Sequence, residues 1–158
     1  MSITFYGHYF SSYCQKALIP FYEHELDFTF CEIDFQNDEI MQELGALWPI
    51  KKMPVIVDQG RPVIESSIIV EYVDVRYHKD CRLMPQDSDR ALDVRFMDRF
   101  FDNYVATPQI KLVIDAMCPE GERDPIGVAK AKKMLETSYA WLDDKMNNRE
   151  WAIGEDFT

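Results

Sequence analysis

Lys52-Met53-Pro54-Val55-Ile56-Val57, a short turn, then Glu65-Ser66-Ser67-Ile68-Ile69-Val70-Glu71-Tyr72: these residues decide how the chain is read. Proline has no N–H for a sheet ladder, so Pro54 cannot sit in mid-strand but can open an edge strand. In the cis form it would turn the Met53 main chain outward as a free hydrogen-bonding edge. Asp58-Gln59-Gly60-Arg61 reads as a hairpin turn, with Val63-Ile64 as the returning strand. Glu65-Ser66-Ser67 stand just before the apolar positions Ile68, Ile69, Tyr72 and Val73, and so at a helix N-terminus. Hydroxyls and free amides there make an anion site that the helix dipole strengthens. A Pro-opened strand, a hairpin and a Glu-Ser helix start together suit capture of an extended peptide that carries a carboxylate.

Upstream, Ser2 to Tyr6 reads as a short strand and Gly7-His8-Tyr9-Phe10 as a loop. Ser11 to Glu23 reads as a helix capped by Ser11 or Ser12, with Ala17, Leu18, Phe21 and Tyr22 on its apolar face. Pro20 within it predicts a kink or an early end. Phe28 to Phe35 alternates as a second strand, and Glu39 to Leu47 reads as a shorter helix. The order β-α-β-α-β-β-α up to Arg76 is an α/β pattern. After Tyr77 the texture changes. A polar linker, 78–88, carries Pro85 and leads to an all-helical remainder, 89–158. Ser88 to about Met117 has apolar residues near a three-and-four repeat, with a kink expected at Pro108. Asp124-Pro125 caps and opens a further helix with Val128, Ala131, Leu135, Tyr139 and Leu142 on one face. The final residues lead toward a cap at Thr158, so further helices are expected beyond it.

The chain of 158 residues is 47% hydrophobic, enough for a core and against disorder. A net charge of −11 argues against general nucleic-acid binding. Cys14, Cys31, Cys81 and Cys118 form no Cys-x-x-Cys or Cys-x-x-His pair, which argues against zinc and favours free thiols in a reducing cytoplasm. No apolar run approaches the roughly 20 residues of a membrane span, and no signal peptide is visible.

With these residues in place, the chain resembles the cytosolic glutathione S-transferases, in particular bacterial, serine-type forms. The resemblance rests on Met53-Pro54 and Glu65-Ser66, on the Arg95-Phe96-Met97-Asp98-Arg99-Phe100-Phe101 stretch, and on Gly154-Glu155-Asp156-Phe157-Thr158. It implies a thioredoxin-like α/β domain over residues 1–77, followed by an all-α domain that is incomplete at its end. It also implies conjugation of the glutathione thiolate to an apolar electrophile, with glutathione as co-substrate, no metal, and a homodimer packed through Ser66–Arg76 and Asp89–Val105. Ser11 falls at the catalytic serine position, where redox relatives carry the first cysteine of Cys-Pro-Tyr-Cys. Met53, ahead of cis-Pro54, would pair with the cysteinyl part of glutathione. Glu65 and Ser66 would hold the γ-glutamyl end, and Lys52 the glycyl carboxylate. One departure is Lys51, where many relatives have Gly.

A thiol is a poor nucleophile near neutral pH, so a hydroxyl that hydrogen-bonds the thiolate at a helix N-terminus is chemically apt. Ser11 fits, with Ser12, Tyr6 and Tyr9 as rival hydroxyls; the bland alternative is that Ser11 only caps its helix. Dithiol chemistry would need Cys at position 11, so Cys14 reads as a buried small apolar residue. Cys31 reads as core. Phe96, Phe100, Phe101 and Tyr104 read first as core, one edge of which, with Tyr9, Phe10 and Met117, could line an apolar co-substrate pocket. Asp98 and Asp102 share a helix face and default to solvated charge. In the family, an acid on this helix reaches the γ-glutamyl amine in the partner subunit. Two rival readings use the same fold: a stringent-starvation-type protein that binds RNA polymerase without catalysis, suggested by Leu83-Met84-Pro85 after the Ile68–Tyr72 helix, and glutathione-dependent reductase or lyase chemistry.

Overall fold

The computed structural model describes residues 3–79 and 82–158, so Cys81 and the Ser2 start of the first strand lie outside the described residues. The chain divides into two compact units, Met1–Met84 and Pro85–Thr158.

In the first unit, β1 (Ile3–Gly7), β2 (Phe28–Glu32), β3 (Val55–Asp58) and β4 (Arg61–Ile64) form one sheet in the order β2-β1-β3-β4. β1 runs parallel to β2, joined by the crossover helix α1 (Ser12–Glu23), and antiparallel to β3. Successive residues face opposite sides, so Phe5 joins Ile56, Val63, α1 residues Ala17, Leu18 and Phe21, and α3 (Ser66–Tyr77) residues Ile69 and Val73. Tyr6 and Val55 face the other way, against Ile33 and Leu44, the latter on α2 (Asp38–Leu47). This is the thioredoxin-like arrangement expected. β2 stops at Glu32 rather than reaching Phe35, because the chain turns at Asp34, whose carboxylate accepts from Gln36 N at 2.9 Å. Helix α1 runs past Pro20 to Glu23. A proline so near the C-terminus removes one intrahelical bond, while its own carbonyl still accepts from His24 N at 3.1 Å. Cys31, half-buried on the edge strand β2, packs against the cluster of Tyr6, Ile33, Leu44 and Val55, whereas Cys14 is fully buried.

The β3–β4 turn is Gln59-Gly60, both at positive φ (51° and 81°), as a two-residue hairpin requires. Asp58, 2% exposed, ties this hairpin to α3: Tyr72 and Tyr77 hydroxyls donate to the same carboxylate oxygen, at 2.7 and 2.6 Å. The buried Asp74 carboxylate does the same for the exit of α3, accepting from Leu83 N at 2.7 Å and Met84 N at 3.2 Å, with His24 Nε2 at 3.2 Å. The sequence reading gave Asp74 no role.

The second unit holds α4 (Ser88–Phe100), a π-helical segment (Phe101–Ala106), α5 (Thr107–Met117), a short 3-10 turn (Glu120–Glu122) and α6 (Pro125–Met146). Asp124 caps α6 through Gly127 N at 2.8 Å, with Pro125 in the first turn as expected. The expected kink at Pro108 is replaced by the π segment before it. Pro108 has no N–H for the Tyr104 carbonyl, and Ser138 Oγ donates to that carbonyl instead, at 3.0 Å. Thr107 meets the Asp102 carbonyl with both its N–H and, at 2.8 Å, its hydroxyl. Of the aromatic stripe only Phe100 is core; Phe96, Phe101 and Tyr104 are exposed, because the wider π turn carries the last two off the face expected from a regular 3.6-residue period.

Two outcomes are expected. Ser138→Ala leaves the Tyr104 carbonyl unpaired and lowers stability by about 1–2 kcal/mol, read by urea denaturation. In alkali, the Asp58 hydrogen bond and burial hold the Tyr77 phenol up to about 12. Its contribution to stability is therefore complete below the unfolded-state value near 10 and lost as pH rises from 10 through 12. Tyr77→Phe removes that part of the alkaline slope.

Candidate functional site

The register of the sheet brings three loops to one end of the first unit. Val55, at the start of β3, lies opposite Tyr6 near the end of β1 and opposite Ile64 at the end of β4. The loop from Gly7 to Ser11, the segment Lys52-Met53-Pro54, and Glu65-Ser66 therefore leave the sheet together. This brings Ser11, Lys52, Met53, Pro54, Glu65 and Ser66 to one edge, with Tyr9 and Phe10 in the first of the loops.

Each segment has its own local cause. Ser11 is the cap of α1: its Oγ accepts from Cys14 N at 3.3 Å, and its N–H donates to the His8 carbonyl at 3.0 Å. Ser12 is the first helical residue and is exposed. Tyr9 stacks on Phe30 with centroids 4.4 Å apart and is 55% exposed, while Phe10 is 92% exposed. Tyr6 is turned away: its hydroxyl donates to Glu43 at 2.6 Å, and burial followed by that bond pushes the phenol up to about 12. It is therefore a poor source of the ligand-facing hydroxyl.

The Met53–Pro54 bond is cis. Among the described residues, no hydrogen bond is made by the Met53 main chain. Lys51, two residues earlier, has φ 54°, the left-handed region that glycine occupies without cost. Its side chain lies over Gly45, where an added Cβ would stand 2.8 Å from Lys51 Cε. Lys52 is exposed.

Glu65 has φ 73°, and its side chain does not cap α3; its carbonyl accepts from Ile69 N at 2.8 Å. A left-handed glutamate costs about 1–2 kcal/mol, the kind of local strain that collects where a ligand is clamped. Ser66 and Ser67 are buried at 6% and 7%, and Lys16 Nζ donates to Ser67 Oγ at 3.1 Å. The sequence signal for Lys16 is a lysine one turn after Tyr13 on α1, and its Nζ lies 5.7 Å from the Tyr13 ring centroid.

Phe101 and Tyr104 belong to the second unit, 42% and 45% exposed. Met117, there too, is 80% exposed. Asp98 and Asp102 flank Arg99, at 3.8 and 3.9 Å. Among the described residues no group of three His, Cys, Asp or Glu side chains could hold a metal, and no helix is long and apolar enough to cross a membrane.

The thioredoxin-like sheet thus carries a cis-proline loop and a Glu-Ser helix start at one end. Residues 5–80 match the family described as glutathione S-transferase, N-terminal domain. Glutathione S-transferase U10 of Arabidopsis thaliana is 30% identical over 98% of this chain and 64% of its own length; the U9 protein of the same plant is 29% identical over 84% and 53%. The chain thus spans between about half and two thirds of the length of these curated relatives. A glutathione S-transferase of Methylobacillus flagellatus KT, solved with GSH bound, shares the fold at TM-score 0.91 and 24% identity, covering 99% of this chain and 76% of that one. Residues 5–80 thus match that family, and the chain is similar to glutathione S-transferases along almost its whole length. None of these relatives is of the stringent-starvation type.

Lys51→Gly relieves the left-handed lysine and is expected to raise stability by about 0.5–1 kcal/mol, read as a higher denaturation midpoint.

Proposed function

We propose that the protein is a serine-type glutathione S-transferase that adds the glutathione thiolate to an apolar, electrophilic small molecule. The observation that carries this reading is the convergence of the Ser11 cap, the unpaired Met53 main chain and the Glu65-Ser66 helix start at one sheet end. In this reading, Met53 pairs main chain to main chain with the cysteinyl residue of glutathione, beside Pro54. Glu65, Ser66 and the first amides of α3 take the γ-glutamyl end, where the helix dipole favours a carboxylate. Lys52 meets the glycyl carboxylate. The Ser11 hydroxyl donates to the ligand sulfur and lowers its pKa, at a helix start that also favours negative charge. Holding the thiolate beside the electrophile then supplies most of the rate. Tyr9 and Phe10, exposed in the loop before Ser11, provide apolar surface for the co-substrate.

The family also supports a cytoplasmic homodimer through Ser66–Arg76 and Asp89–Val105. On α3, Ile68 and Val75 lie seven residues apart on one face and are 49% and 61% exposed, which suits such an interface.

Calorimetric titration with reduced glutathione tests the reading, alongside Ser66→Ala. The expected result is binding by the parent chain that weakens about tenfold in the variant, the worth of one hydrogen bond to a charged group. No binding at millimolar glutathione would sink it.

A further inference from the structure

Among the described residues, the hydroxyl of Ser66, a residue only 6% exposed, makes no hydrogen bond. A buried polar group left without a partner is costly, and a ligand at the helix start would supply one. The turn around it is equally unfinished: Glu65 is left-handed at φ 73°, and no side chain caps α3. What fixes this turn comes from another helix. Lys16, half-buried on the second turn of α1, donates from Nζ to Ser67 Oγ at 3.1 Å. Lysine has no acceptor, so the direction of this bond is forced, and its donor is charged. Ser67 is 7% exposed, which limits the screening of that charge by water. The same Nζ lies 5.7 Å from the Tyr13 ring centroid, a second contact that steadies the long stem.

Lys16 thereby ties together the two helices that begin at the candidate site, α1 at Ser12 and α3 at Ser66. The reach of a serine side chain puts its ammonium within roughly 7 Å of the Ser67 amide. From this geometry we infer that Lys16 makes the α3 start selective for a carboxylate: it holds the first turn through Ser67 and adds a fixed positive charge to the helix dipole beside the Ser66 hydroxyl. The inference rests on the glutathione reading above and assigns that charge to the γ-glutamyl carboxylate. Acting through Ser67 and through its field, Lys16 is a positioning residue. The two contributions separate by chemistry. A neutral donor at position 16 could still hold Ser67, but it would leave only the dipole and the hydroxyl for the carboxylate.

The test is calorimetric binding of two ligands to the parent chain, Lys16→Gln and Lys16→Arg. The ligands are reduced glutathione and the same tripeptide with its γ-glutamyl carboxylate amidated. Lys16→Gln is expected to bind glutathione about threefold to tenfold more weakly, and the amide within about twofold of the parent chain. Lys16→Arg keeps the charge and is expected to keep the parent's preference for glutathione; a preference lost there as well overturns the inference. Equal losses for the two ligands in Lys16→Gln, or no loss for either, also overturn it, since a merely structural lysine cannot tell a carboxylate from its amide. In that case glutathione binding by the parent chain leaves the proposed function standing. A parent chain that binds neither ligand overturns both. Should Lys16→Gln not fold, Ser67→Ala takes its place, because it releases the ammonium from its station. A loss confined to glutathione then supports the role, and any other pattern refutes it.

Discussion

Val55 stands opposite Tyr6 on one side and Ile64 on the other, and the geometry of the first unit depends on that register. Side chains in a strand alternate between faces, so a slip of one residue would carry Val55 and Tyr6 to the wrong layer and bring Phe5 with them. The two layers have different partners: α1 and α3 cover the Phe5 face, and α2 covers the Tyr6 face. Phe5 is fully buried in contact range of Phe21, with centroids 5.7 Å apart, and loss of such a ring from a core costs about 3–5 kcal/mol. Slippage would forfeit several such contacts at once. The register that fills the core is thus the same one that brings the loops of the candidate site to a single edge.

Buried polar groups then fix what the sheet leaves free. Asp58 holds the far end of the β3–β4 hairpin to α3 through two tyrosine hydroxyls, while Asp74 receives the main chain as it leaves that helix. Both carboxylates are almost wholly withdrawn from water; donors reach both oxygens of Asp74, whereas the two tyrosine hydroxyls meet only Oδ2 of Asp58 and its buried Oδ1 has no partner among the described residues. Ser138 performs the corresponding task in the second unit for the carbonyl that Pro108 leaves without a donor. In each case a main-chain or carboxylate acceptor would be costly if unpaired, and a side chain distant in sequence supplies the donor or takes its place.

Distance in sequence is also what separated the legible from the illegible. Gln59-Gly60, Asp124-Pro125 and the Glu65-Ser66 helix start act within a few residues, and each could be read locally because turn and cap chemistry is local. The interplay of Pro108 with Ser138, thirty residues away, could not, and so the π segment was missed and Phe101 and Tyr104 were assigned to a core face they do not occupy. Asp74 escaped notice for a related reason: an acid amid Ile69, Val73 and Val75 has no visible partner until the chain beyond α3 folds back on it. Cys31 meets the core only partly, which the sequence does not show, because a strand pattern does not reveal whether the strand is central or at an edge.

The two helices that begin at the candidate site start in different ways. α1 is capped by a side chain, Ser11, whose oxygen accepts from the helix; α3 opens at a left-handed Glu65 with no side-chain cap at all. A missing cap costs about 1 kcal/mol, and a left-handed glutamate adds to that. A helix buried through Ile69 and Val73 can sustain such a start, since its stability comes from apolar contact more than from its first turn. In the proposed reading, a bound carboxylate takes the place of the absent side-chain cap, beside the strained Glu65. The capped start at Ser11 plays the opposite part. There the helix needs only the oxygen, and the proton on that oxygen is left for another acceptor.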